Sequence, residues 1–186
     1  MKSKKNELYN SIIEFFHYIY NNDIELINEA SLQMELGIFL RNKFPEYKIQ
    51  LEKNVGTIIS NGQLLDKKKI KHKKEMDIFI EDKESNKYVI ELKFPPGKSR
   101  KADEIKKDID FLYQLIEKAD FAEGFFILIS WHDKYFKPNL LKKLGFSDFT
   151  KNSIKIQDII WKNKINKNRE FKYLVLETKS KNNNKL

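Results

Sequence analysis

Three residues have types and spacing that could do chemistry together: Asp77 in EMDIFIE (75–81), and Glu91 and Lys93 in KYVIELKF (87–94). Both segments alternate apolar and polar residues, the pattern of a strand with one buried face. Tyr88, Ile90, Leu92 and Phe94 fall on one face of the second strand, and Val89, Glu91 and Lys93 on the other. In the first strand Met76, Ile78 and Ile80 share a face, opposite Asp77, Phe79 and Glu81. DKESN (82–86) between them is a turn. A hairpin symmetric about Glu84 sets Asp77 opposite Glu91. Directly opposed side chains start about 4.5–5.5 Å apart.

Two carboxylates that close repel, more so when sheltered from water. A proton on one of them offsets this, or a cation between them. Lys93, next on the same face, offers one charge and a divalent metal offers two. Oxygen-only ligands suit Mg2+ or Mn2+. The plainer alternative is a solvent face whose Glu–Lys pair is worth little. Against it, Phe79 and Val89 share that face, so something covers part of it. Pro95-Pro96-Gly97 follows at once, which puts the charges at the carboxyl end of the strand. That is where α/β sheets place ligands.

The elements that must position these residues follow from periodicity. Residues 4–20 carry apolar positions 8, 12, 15, 16 and 19, a helical spacing. Asn21-Asn22-Asp23 is expected to cap a second helix over 24–43, with Leu32, Leu36, Phe39 and Leu40 as its stripe and Pro45 as its stop. YKIQLEKNV (47–55) reads as a strand, and residues 61–74, with a turn signal at Asn61-Gly62, as an exposed Lys-dense loop. Residues 101–119 form an amphipathic helix with Ile105, Ile109, Leu112, Leu115 and Ile116 inward. GFFILIS (124–130) is a buried central strand, PNLLKKLG (138–145) a short helix, and FKYLVLE (171–177) another strand. The strand–helix–strand order implies a parallel crossover. The expected architecture is α/β: a central mixed sheet flanked by helices, one domain over 1–178 and a polar, disordered tail over 179–186.

Composition bounds the rest. The chain has 186 residues, 40% of them hydrophobic, with 14 Phe, enough for one real core. With no cysteine there is no disulfide framework and no thiolate site. Its N-terminus shows no signal peptide, and GFFILISW (124–131) is too short to span a bilayer. A cytoplasmic protein with no membrane partner is expected. Net charge is +9, from 36 basic and 27 acidic residues, which suits nucleic acid. Only three basic residues are Arg, however, and abundant Lys, Asn and Ile is also what an AT-rich genome encodes.

Asp77, then 13 residues, then Glu91-Leu92-Lys93 resembles the D-x(n)-(D/E)-x-K core of the PD-(D/E)XK nuclease superfamily. Met76 stands where that superfamily often has proline. The α-β-β-β-α-β order over residues 24–130 is similar to its restriction-endonuclease-like fold, with an αβββαβ core. Many members place a glutamate on the preceding helix. Glu35, inside the apolar stripe, is the expected match, with Glu29 its nearest competitor. The resemblance implies a Mg-dependent endonuclease that hydrolyses DNA phosphodiesters in restriction, repair or defence/mobile-element biology. Its products would be 5′-phosphates and 3′-hydroxyls. Asp77, Glu91, Glu35 and the backbone carbonyl of Leu92 would hold Mg2+ or Mn2+, and Lys93 would orient or deprotonate the attacking water. Many such enzymes are homodimers.

Two basic segments flank this constellation. Lys73 and Lys74 lead into the Asp77 strand, and Lys98, Arg100 and Lys101 precede a helix N-terminus; all five are candidates for the phosphates of double-stranded DNA. The alternatives are solvated Lys-rich loops, and a non-catalytic nucleic-acid-binding protein that retains the nuclease fold. His17, His72 and His132 are scattered, which makes a zinc site improbable.

Overall fold

The computed structural model describes residues 7–60, 63–64, 75–94, 102–130, 136, 154–162 and 170–179. Side chains of 59–60, 63–64, 102, 154–162, 170–172, 174 and 179 fall outside that description. The elements run α1 (Glu7–Asn21), α2 (Glu29–Lys43), β1 (Lys48–Asn54), a 3-10 turn (Val55–Thr57), β2 (Ile59–Ser60), β3 (Gln63–Leu64), β4 (Glu75–Glu81), β5 (Lys87–Lys93), α3 (Ala102–Lys118), β6 (Glu123–Ser130), β7 (Ile154–Lys162) and β8 (Glu170–Lys179). Among the described residues one six-stranded mixed sheet has the order β1-β4-β5-β6-β8-β7. β5 and β6 run parallel across the α3 crossover, and the other neighbours run antiparallel.

Helices cover both faces. On one, the predicted stripe of α1 (Leu8, Ile12, Phe15, Phe16, Ile19) packs with Leu32, Leu36 and Leu40 of α2 onto Ile78, Ile80, Ile90, Leu92 and Ile127. On the other, Ile105, Ile109, Leu112, Leu115 and Ile116 of α3 cover Phe79, Val89, Phe126 and Leu128. Two dry layers on one sheet are why every residue of β6 is buried.

Local chemistry fixes where each element starts. α2 begins at Glu29, five residues later than its expected start at 24. Asn28 and Ser31 form a reciprocal capping box: the Asn28 carboxamide accepts from Ser31 N at 2.9 Å, and Ser31 Oγ accepts from Asn28 N at 3.0 Å. The hairpin register is set by Asp82, whose carboxylate accepts from the amides of Glu84 (2.9 Å) and Asn86 (2.8 Å) and from the Tyr88 hydroxyl (3.0 Å). Ser85 supplies the left-handed residue, at φ 63°. Ile78 then faces Ile90, Phe79 faces Val89 and Ile80 faces Tyr88, the register of a turn centred on Glu84.

Several expectations need correction. Met76 packs on the α3 side, not with Ile78 and Ile80. Strand alternation breaks between them, where the β1–β4 ladder skips the Glu52–Asp77 level and Glu52 adopts φ 51°. β7 is an additional strand, whose pairing with β8 shifts register between Gln157 and Trp161. Gln63–Leu64 belong to a short hairpin rather than a loop. Lys179 continues β8; residues 180–186 and the expected helix at 138–145 lie outside the described residues.

Buried and half-buried phenols give the fold a pH limit. Burial and the neighbouring Glu177 push the Tyr9 hydroxyl's pKa up. Burial and Asp82 do the same to Tyr88, and burial and Tyr9 to Tyr173. Each phenol stays protonated in the fold beyond the point, about pH 10, where an unfolded tyrosine ionises. Above that point the unfolded state holds fewer protons, so stability falls as pH rises. Urea midpoints are therefore expected to be level from about pH 7 to 9 and to drop steeply past about 10; a midpoint unchanged at about pH 11 contradicts this.

Candidate active site

The ladder between β4 and β5 changes character past the Ile78–Ile90 pair. Cross-strand bonds there run through side chains. Leu92 N donates to Asp77 Oδ2 at 2.7 Å, and Asp77 N donates to Glu91 Oε1 at 3.2 Å. Each carboxylate takes an amide of the opposite strand, so both turn into the gap between the strand ends. Glu91 is fully buried, which rules out the solvent-face alternative. In extended backbone a residue's N–H and C=O face the same neighbour, so the Leu92 carbonyl is directed to this gap as well.

Helix α2 closes one side. Gln33 Nε2 donates to the Asp77 carbonyl at 2.7 Å. Glu29 Oε2 accepts from Phe94 N at 3.0 Å, and Glu29 Oε1 lies 3.6 Å from Lys93 Nζ. Helix α3 closes the other side, with Asp108 Oδ2 3.0 Å from the same ammonium. The Lys93 and Asp108 side chains are only 12% and 11% exposed. Burial alone lowers the Lys93 pKa, but Asp108, Glu29 and Asp77 outweigh it, and the net shift is upward. Lys93 is therefore a charged donor at neutral pH.

Asp77, Glu91, Leu92 and Lys93 thus come together, and Glu35 does not join them. Successive residues of a helix turn by about 100°. Gln33 and Glu29 face the strands, and Glu35, two residues past Gln33, points the opposite way. It lines a shallow pocket with Glu14, Tyr18, Ile38, Phe39, Asn42 and Lys43, against α1. Glu29 occupies the place expected of Glu35. Asp108 was not anticipated at all. Its signal was a carboxylate inside a buried stripe, three residues after Ile105 and four before Leu112. Lys73, Lys74, Lys98, Arg100 and Lys101 lie outside the described residues.

As a donor set, two carboxylates and a backbone carbonyl fit a hard cation. Mg2+ is commonly held by one or two carboxylates, with substrate phosphates and water completing its octahedron. Among the described residues no three acidic, histidine or cysteine side chains close on one point, so any such ion would rest partly on backbone, water or substrate.

Geometry and sheet define an α/β protein with an acid–acid–lysine cluster at the strand ends. Comparison of the chain with protein-family models, with curated proteins and with solved structures gave no match. Among the described residues no helix is long and apolar enough to cross a membrane.

Proposed function

We propose that the protein is a divalent-metal-dependent endonuclease of the restriction-endonuclease-like fold, acting on DNA. The observation that carries this reading is the interlocked pair at the β4–β5 gap: Asp77 and Glu91 each hold an amide of the other strand, with the Lys93 ammonium beside them. The α-β-β-β-α-β order made by α2, β1, β4, β5, α3 and β6, with its parallel last pair and with β2 and β3 set apart in their own small sheet, supports the same reading. So does a net charge of +9, which suits a polyanion.

The residues divide the work. Asp77, Glu91 and the Leu92 carbonyl would hold Mg2+ or Mn2+, while Glu29, the acid that α2 brings to the site, lies beside Lys93. When bound, the metal lowers the pKa of its water and offsets charge that develops on the phosphate. Lys93 would orient the attacking water and donate to the phosphate oxygens. Gln33 fixes the backbone at Asp77 through its carbonyl. Lys73, Lys74, Lys98, Arg100 and Lys101 would grip phosphates and tune affinity without reading sequence. A homodimer would supply a second centre for the second strand.

The test is supercoiled plasmid incubated with the protein and Mg2+, with and without EDTA, alongside Asp77→Ala and Lys93→Ala. Nicking that needs the metal and falls steeply, to a measurable residual rate, in both variants is expected. Binding without cutting by the wild type favours a non-catalytic nucleic-acid-binding protein instead. Neither binding nor cutting leaves the cluster without a nucleic-acid role.

A further inference from the structure

We propose that Asp108 is the positioning residue for Lys93, aiming the ammonium at the gap between β4 and β5; this rests on the nuclease reading. Lys93 needs such a partner. Its flexible four-carbon stem leaves β5 at the last residue of the strand, past the end of the ladder with β4. Glu29 is a loose guide: it is 40% exposed, 3.6 Å away, and its other oxygen already serves Phe94 N. Asp108 is close, at 3.0 Å, and sheltered. It is also rigidly mounted. Ile105, Ile109 and Leu112 around it on α3 are all buried, so packing locks the helix that carries the carboxylate.

Stability alone does not account for a carboxylate there. An apolar residue would continue the stripe, and buried ion pairs are often no more stabilising than the apolar pairs that could replace them. What the ion pair adds is direction. The ammonium is tied from α2 on one layer and α3 on the other, so it stays in the site whatever the substrate does.

The experiment is steady-state cleavage of a DNA duplex in Mg2+ by wild type, Asp108→Asn, Asp108→Glu, Lys93→Ala and the Lys93→Ala/Asp108→Asn double variant. Asp108→Asn is expected to lower kcat about 10- to 100-fold, as loss of a residue supporting a catalytic group does, with KM within about twofold. Asp108→Glu restores part of the loss. In the Lys93→Ala background Asp108→Asn costs nothing further, because the two act as one unit. A merely structural role would give losses that add. An Asp108→Asn enzyme with wild-type kcat, an effect confined to KM, or additive losses overturns the proposal. Circular dichroism checks folding, and Asp108→Ser is measured in the same way should the Asn variant not fold. Wild type that never cuts brings down the nuclease reading and this proposal with it; wild type that cuts beside an unaffected Asp108→Asn brings down this proposal alone.

Discussion

Asp77→Asn is expected to reduce metal-dependent cleavage by roughly 10³-fold, the several kcal/mol that a positioned divalent ion contributes to the transition state. The substitution isolates charge from shape. An asparagine keeps an oxygen that accepts from Leu92 N, so the strand ends stay joined. Mn2+ should raise the melting temperature of wild type in a concentration-dependent way, because an ion that binds only the folded state stabilises it by mass action. The variant should show no such rise. Cleavage at wild-type rate by Asp77→Asn, or a Mn2+ response identical in both proteins, removes the metal from the mechanism.

The second large effect is on stability. Lys93→Met takes away the ammonium that lies 3.0 Å from Asp108, whose side chain is 11% exposed. Removing one member of a buried charge pair typically costs about 3–5 kcal/mol. That is a large share of the roughly 5–15 kcal/mol of a whole domain. Pairing Lys93→Met with Asp108→Leu should recover most of the loss, since apolar side chains can fill the space between β5 and α3. Urea unfolding of the single and double variants reads both. If Lys93→Met unfolds at the wild-type midpoint, Asp108 does not depend on Lys93.

Much of this site is legible in the sequence because it hangs on a hairpin. Asp82 and the DKESN turn are local, so the turn centre and the register follow from a few adjacent residues, and with them the meeting of Asp77 and Glu91 past the end of the ladder. The stripes of α1 and α3 are equally local, and every position expected inward on them is buried. Glu35 fails for a physical reason. α2 buries two sides: Leu36 and Leu40 lie against the sheet, while Phe39 meets Phe15 edge-on and Tyr18 at a tilt on α1. A stripe position on such a helix says that a residue is covered, not which neighbour covers it. Glu29 lacked a stripe and was fixed by a capping box that the Asn21–Asp23 cluster overshadowed. Asp108 depends on which strand α3 crosses, a tertiary fact. β7 is hidden because its register shift spoils the alternation by which strands are recognised.

The break at Glu52 has a consequence beyond the cluster. β1 is a margin of the sheet among the described residues, and a straight margin is a template on which another chain can add itself. Here the backbone bends at Glu52, opposite Asp77, and Lys48 and Lys53 stand on either side of the bend. An incoming segment finds too short a run to zip onto, and meets ammonium groups where it would need apolar partners. The bend at Glu52 thus guards this border against runaway polymer growth at high concentration.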